Sequence, residues 1–526
     1  MRVRFDRFDA KAYDLFLRTK KLPEQQTDYD MVKGVYTISA PARFAEMIGV
    51  KVPRVDRNLL PFPKELFDRQ RDTVVTALKA KRYAVWWDCG LGKTLTFLEW
   101  LRQATNLTKG RGLILSPKPI IWQTTEECAR FYGDSMKLVQ LHSRQQLDAF
   151  CKGEGEFESH IGICNYEKLI SGVCNEMRYL TALVCDESSC LKSGGGVIKW
   201  NLIKSAKGIE YKLSCTATPA PNDTMEYASQ ASFLEKLRTE GEILWTFFKR
   251  EGKNGQGDWV VKPHAREAFY RFMAAWSIYL RDPSAYGWKD GLEPVPEPKY
   301  YEQRIEPTKE QLDISYSLNV KSKGLLFDNA RMGIRERSKL SQLAKGFMYA
   351  DERKTIQRIK SNKPKYVAGI IDEQIKKGRQ VLCWTSFAEE ERVIRENMTR
   401  KLGKEIGTVE GNMTELQRED VIEQFLKGNM SGLISKPSLL GYGMNFQNVE
   451  AMVFSGWDDS YERFYQAIRR AYRYGQKKTL HVFIPFIEEL EGMILKNVLK
   501  KKEQFERDTS ECERLYRQAC KEVKIA

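Results

Sequence analysis

No apolar run in the sequence approaches the roughly 20 residues that a membrane-spanning helix requires. The first residues, MRVRFDRFDAKAYDLF, carry charge in every turn, so neither a secretory signal nor a membrane anchor is expected, and a cytoplasmic protein is. Histidine is scarce at four residues, and none of the eleven cysteines stands in a CxxC pair. Several cysteines lie inside apolar runs and read as reduced core residues of an intracellular protein, with structural zinc the lesser alternative.

What is present describes an ordinary globular chain: 42% hydrophobic residues and 30% charged ones. At 526 residues it exceeds what one core supports, and about three or four domains are expected. Lysine and arginine (86) exceed aspartate and glutamate (70), a net charge of +16. Such a surplus suits a chain that meets a polyanion, and nucleic acid is the first candidate.

From about Phe67, short runs rich in Val, Ile, Leu and Cys alternate with helical patterns, as strands of a parallel sheet alternate with crossover helices. The predicted strands are YAVWW before Asp88, then 112–117, 160–166, 182–187 and 211–218. A second series follows at 380–387, 405–411, 432–438, 451–457 and 480–486. The expected fold is therefore α/β, with two lobes at 61–235 and 356–486. Residues 1–60 form a small amino-terminal accessory segment. Residues 236–355 read as a helical, aromatic insertion, with a GKNGQG loop at 252–257 and a Pro-rich EPVPEP crossing at 293–298. The tail, 487–526, reads as a charged amphipathic helix bracing the second lobe.

WWDCGLGKT, Trp86 to Thr94, follows a strand and opens a helix. Gly90, Leu91 and Gly92 can offer backbone N–H groups to phosphate oxygens, Lys93 can neutralise the terminal phosphates, and the Thr94 hydroxyl can ligate Mg2+. Only the first glycine of the G-x-x-x-x-G-K-[ST] pattern is missing, replaced by Trp87. Downstream, LVCDESS ends an apolar strand in two carboxylates. Asp186 is expected to hold magnesium and Glu187 to polarise the attacking water, which makes ATP with Mg2+ the expected cofactor. In YQAIRRAYRYGQ, Arg470 and Arg473 are spaced to share a helix face and to reach a γ-phosphate as arginine fingers.

In this order the motifs resemble the Swi/Snf-type branch of helicase superfamily 2, over nearly everything from Phe67 to Lys500. Gln70 in LFDRQ stands at the adenine-recognising glutamine. SPKPIIWQTTEE contains the family's Trp at Trp122, DESSCLK resembles the DEAH-containing motif, and TATPAPN (216–222) resembles the motif coupling hydrolysis to DNA. GNMTELQR, GYGMNF and QAIRRAYRYGQ resemble the later motifs, with Gln466, Arg470, Arg473, Gly475 and Gln476 on matching positions. Arg469 and Tyr472 replace the usual Asp and His, and PSLL the usual Thr-Lys-Ala-Gly. The resemblance implies two RecA-like lobes that close on ATP, nucleotide contacts at Gln70, Gly443 and Gln466, and a monomeric motor stepping along double-stranded or forked DNA. It implies phosphate contacts at Lys118, Lys192, Arg418 and Lys436, mostly independent of sequence. The compact length, without a chromatin-reading module, fits a bacterial or phage setting. No nuclease constellation is present, so a nuclease or replication protein would act as a separate partner. Two alternatives remain: a strand-separating DNA or RNA helicase, and a DNA-binding scaffold switched by ATP.

Overall fold

The computed structural model describes residues 2–6, 9–22, 25–31, 34–40, 44, 46–49, 59–191, 196–220, 226–237, 239–250, 259–288, 295–322, 334–350, 355–403, 405–440, 446–457, 460–473 and 476–525. Its contacts divide the chain into two compact units, Met1–Gly291 with Phe505–Ala526, and Leu292–Gln504. Among the described residues no helix is long and apolar enough to cross a membrane.

The first unit opens with β1 (Arg2–Phe5), α1 (Ala10–Lys20), β2 (Gln26–Asp30) and β3 (Val35–Ser39), whose strands form an antiparallel sheet in the order β1-β3-β2. Asp9 caps α1 by accepting from the Ala12 N–H at 2.8 Å. There follow α2 (Asp68–Ala80), β4 (Arg82–Trp87), α3 (Lys93–Thr108), β5 (Gly112–Ser116), α4 (Ile121–Tyr132), β6 (Val139–Gln140), α5 (Arg144–Lys152) and β7 (Ile161–Asn165). Next come β8 (Ala182–Asp186), α6 (Val197–Ser205), β9 (Tyr211–Cys215), α7 (Glu226–Phe233), α8 (Glu240–Phe247), β10 (Phe248–Arg250), β11 (Trp259–Val261), α9 (Arg266–Ala274) and β12 (Ser277–Leu280).

Seven of these strands form one parallel sheet in the order β12-β4-β9-β8-β5-β7-β6. β5, β7, β8 and β9 are buried along their whole length, as strands covered by helices on both faces must be, and this is why they read as continuous apolar runs. Cys164, Cys185 and Cys215 sit inside them as free thiols, as expected of core cysteines.

The second unit contains β13 (Lys299–Arg304), α10 (Lys309–Ser322), α11 (Ile334–Ala344), β14 (Phe347–Tyr349), β15 (Ile356–Arg358), α12 (Lys363–Lys376), β16 (Val381–Trp384), α13 (Ala388–Leu402) and β17 (Gly407–Val409). It continues through α14 (Glu415–Leu426), β18 (Gly432–Ser435), β19 (Ala451–Phe454), α15 (Tyr461–Ile468), β20 (His481–Phe486) and α16 (Glu488–Ile525). Its six-stranded sheet is also parallel, in the order β13-β20-β19-β16-β18-β17. The two sheets match the expected pair of α/β lobes.

The segment 236–355 differs from the helical insertion expected. It holds helices, but β12 pairs with β4 at the edge of the first sheet, and β13 pairs with β20 at the edge of the second. Helix α16 spans both units: residues to Gln504 belong to the second and those from Phe505 to the first. In the first, Tyr270 donates to Asp508 at 2.8 Å and the Arg281 N–H to Glu513 at 2.9 Å. In the second, Glu491 lies between two buried ammonium groups, Lys345 at 2.7 Å and Lys363 at 2.5 Å.

Candidate nucleotide-hydrolysis site

Strands β4, β9, β8 and β5 are neighbours, so the loops at their carboxyl ends converge on one edge of the first sheet, where open α/β sheets place ligands. Beyond Trp87 the chain turns through Gly90 and Gly92 at φ +83° and +82°, a left-handed conformation that side chains rarely adopt. At Gly92 a Cβ would also come within 2.6 Å of Gln70 Nε2. Lys93 and Thr94 then start α3, whose free N–H groups and positive dipole end favour a phosphate. Lys93 Nζ donates to the carbonyls of Trp87 and Asp88 at 2.7 and 3.1 Å, so its ammonium lies back along the loop.

Gln70, buried at 2% exposure, holds this loop from α2. Its Oε1 accepts from the Phe67 N–H and its Nε2 donates to Gly92 O, each at 2.9 Å. Arg69, which sequence reasoning passed over, donates to Leu91 O at 3.2 Å. Its adjacency to Gln70 was the only signal available.

At the end of β8, Asp186 accepts from Ser116 Oγ and from the Glu187 N–H, both at 3.0 Å. Tyr166 donates to its carbonyl at 2.6 Å. Burial first, then the neighbouring charge of Glu187, raises the Asp186 carboxyl from its ordinary 3.8 to about 7, although Ser116 and Lys93 pull the other way. Glu187 itself adopts φ +50°, a strained angle for a residue with a side chain. Thr216, just past β9, donates to Glu187 Oε1 at 2.8 Å and, through the same oxygen, accepts from the Thr218 N–H at 3.1 Å. Lys93, Asp186 and Glu187 are thus gathered with Ser116, Tyr166 and Thr216. A buried acid beside a second acid is a site where a divalent cation relieves charge repulsion, and Thr94 supplies a neutral oxygen at the start of α3. The residues therefore fit a magnesium-nucleotide.

In the second unit, Gln466 lies in α15 and reaches Glu462 at 3.4 Å. The helix ends at Ile468, so Arg470 and Arg473 do not share a helix face as expected. Phe446 N–H donates to Arg470 O at 2.9 Å, which takes that carbonyl out of the helical ladder, and the chain continues in tighter turns. Arg470 is buried, donates to Pro437 O at 3.0 Å and lies 5.3 Å over the Trp384 ring. The half-buried Arg473 donates to Arg469 O at 2.7 Å. Among the nucleic-acid candidates, Lys118 is exposed after β5 and Arg418 donates to Gly411 O at 2.8 Å. Lys436 lines a cavity of about 290 Å³ with Thr385, Ser386, Ser438 and Arg463. Lys192, Gly443, Gly475 and the 252–257 loop lie outside the described residues.

Comparison with known families agrees with this geometry. The family model described as DEAD/DEAH box helicase matches residues 67–226, and the helicase conserved C-terminal domain matches residues 362–475. No curated protein matches the chain. Among solved structures, the Sulfolobus solfataricus SWI2/SNF2 ATPase core in complex with dsDNA is 18% identical over 86% of this chain and 96% of its own, with a TM-score of 0.39. The same organism's SWI2/SNF2 ATPase core domain is 18% identical over 83% and 90%, with a TM-score of 0.37. With a DEAD/DEAH box domain carrying the hydrolysis site and a helicase conserved C-terminal domain following it, the chain belongs to the superfamily 2 helicase-like ATPases.

Proposed function

We propose that this ATPase is a DNA-driven translocase or remodelling motor of the Swi/Snf type, which hydrolyses ATP when it engages double-stranded or branched DNA. The observation that carries the reading is the bond from Thr216 to Glu187. It ties the carboxylate that would orient the attacking water to the TATPAPN segment, so that a ligand moving that segment moves the hydrolytic group with it. A scaffold that used ATP only as a switch would need no such link. The RYGQ ending of the last motif and the surplus of 16 positive charges favour a DNA duplex as the ligand.

In this reading Lys93 meets the terminal phosphates, and Thr94 and Asp186 hold the magnesium ion, which would neutralise the charge developing on the transferred phosphoryl group. Gln70 keeps one N–H and one lone pair beyond its two protein bonds, the pair of groups an adenine edge requires. Gly443 and Gln466 are proposed as further nucleotide contacts, and Arg470 and Arg473 as donors to the γ-phosphate. Lys118, Lys192, Arg418 and Lys436 are proposed as contacts to DNA phosphates.

The test is steady-state ATP hydrolysis with no nucleic acid, single-stranded DNA, blunt duplex, forked duplex and RNA, beside Lys93→Ala. Stimulation that is strongest with duplex or fork and absent in the variant supports the motor. Selective stimulation by RNA would move the protein to an RNA-acting branch, and no hydrolysis with any of them would leave a scaffold.

A further inference from the structure

Gln230 lies in α7, in the apolar core of the first unit, on a helix whose Tyr227, Ala231 and Phe233 are all buried. It is fully buried itself, as are Ser188 and Ser214. Its Nε2 donates to Ser188 O at 3.0 Å, and its Oε1 accepts from Ser214 Oγ. Ser214 Oγ lies 2.8 Å from Ser188 Oγ. A carbonyl only accepts, which fixes the way the Gln230 amide faces, and the Ser214 hydroxyl has a single proton, which goes to the amide oxygen. The Ser188 hydroxyl then donates to Ser214, and the three side chains close a ring on the Ser188 backbone.

Buried polar side chains cost free energy unless each is bonded, and apolar residues of similar size would fill this space without that demand. What the ring holds in place is Ser188, the residue after Glu187. Glu187 has φ +50°, an angle kept by a residue with a side chain only where its surroundings fix it. On one side of it Tyr166 holds the Asp186 carbonyl at 2.6 Å, and on the other Gln230 holds the Ser188 carbonyl at 3.0 Å. Ser214 and Thr216, two residues apart along β9 and its continuation, face the same way, the first meeting Ser188 and the second the Glu187 carboxylate. Because α7 follows the TATPAPN segment in the chain, the ring is a second link between that part of the first unit and the hydrolytic loop.

We propose that Gln230 is a positioning residue for ATP hydrolysis: through its ring with Ser188 and Ser214 it keeps Glu187 in the left-handed conformation, with the carboxylate aimed at the attacking water. The inference rests on the reading of Glu187 as the group that orients that water. The ring supplies no ligand to nucleotide or magnesium, so opening it should lower kcat and spare ATP binding. A ring that only cemented α7 to the sheet would be replaced equally well by apolar side chains, and this separates the two roles.

The experiment measures thermal unfolding and steady-state ATP hydrolysis with forked duplex for the full chain and for Ser214→Ala, Gln230→Met, the triple variant Ser188→Ala/Ser214→Ala/Gln230→Met, and Glu187→Gln. Gln230→Met leaves buried polar groups with fewer partners, and should lower the melting temperature and reduce kcat about tenfold, with KM for ATP changed by less than about twofold. The triple variant removes the hydroxyls as well, and should melt closer to the wild type while its kcat stays about tenfold down. Ser214→Ala opens the ring with the least change in volume. It should lower kcat about threefold at unchanged KM, and it carries the test if the other two do not fold. Wild-type kcat in Gln230→Met or Ser214→Ala, or its return in the triple variant, would overturn the proposal, since packing alone would then suffice. Hydrolysis at the wild-type rate in Glu187→Gln would remove the reading beneath it, whereas an inactive Glu187→Gln beside a fully active triple variant would strike only the ring.

Discussion

At the scale of single residues, the hydrolysis site sets function against stability. An isolated aspartate ionises near 3.8, whereas Asp186 in its buried place beside Glu187 ionises near 7. The folded chain thus holds the Asp186 proton more tightly than the unfolded chain does. Stability from this group is highest below pH 4, falls as the pH rises towards 7, and stays reduced above it, by an amount of order 4 kcal/mol. Asp186→Asn should raise the melting temperature at pH 8, leave it nearly unchanged at pH 4, and abolish hydrolysis. Thermal unfolding at the two pH values checks the sign. Magnesium binding should weaken as the pH drops through about 7, because the cation must then displace a proton; calorimetric titration across that range measures it. Thr216→Val removes the hydroxyl that holds Glu187 and keeps the shape. It should lower kcat about tenfold or more with little change in KM for ATP, read in DNA-stimulated steady-state kinetics.

The residues that bear charge or make tight turns were legible in the sequence, because their chemistry depends on local order: Gly90, Gly92, Lys93, Asp186 and Glu187. Those that position them were not. Ser116 reaches Asp186 because Leu115 of β5 pairs with Cys185 of β8, a register that no local pattern reports. Tyr166 lies at the end of a third strand and is found only through the same sheet.

Among elements, the ten strands predicted from apolar runs all appear, nine of them trimmed by one to four residues at their ends and β4 extended by Arg82. The two edge strands taken from the 236–355 segment escaped for opposite reasons. β12, SIYL, follows an aromatic helix after a short turn and blends into its pattern, while β13, KYYEQR, is mostly exposed and carries no apolar run. The turns after α15 show another limit: a spacing of three residues between arginines implies a shared face only while the helix lasts, and it ends at Ile468, where i→i−3 bonds from Arg470 and Ala471 take over.

Helix α16 offers a prediction at this scale. Burial acts to raise the Glu491 carboxyl, but Lys345 and Lys363 outweigh it and hold it below its ordinary 4.5. The stability it supplies is full above about pH 4.5 and is lost as the pH falls below that. Glu491→Gln would leave two buried ammonium groups without their counter-charge, and should destabilise the second unit by about 3 kcal/mol or more in urea unfolding at pH 7.

For the whole molecule, composition gave the size of the problem, while the division into units came only from the contacts. The sequence places a boundary at 486/487, where the helix begins; the structure divides the chain at 504/505, inside that helix. A continuous amphipathic pattern does not mark where one set of neighbours gives way to another.

This placement makes the first unit a composite of two distant stretches of chain. Leu515 sits in its apolar core, and Asp508 and Glu513 bond to Tyr270 and Arg281. A gene divided at the 291/292 junction would consequently encode two polypeptides, the second of which carries the piece that completes the first. Co-expressed, residues 1–291 and 292–526 should copurify through a tag on either half, and Asp508→Ala together with Leu515→Ala should weaken that retention. The terminal helix would serve as the clasp of a split protein.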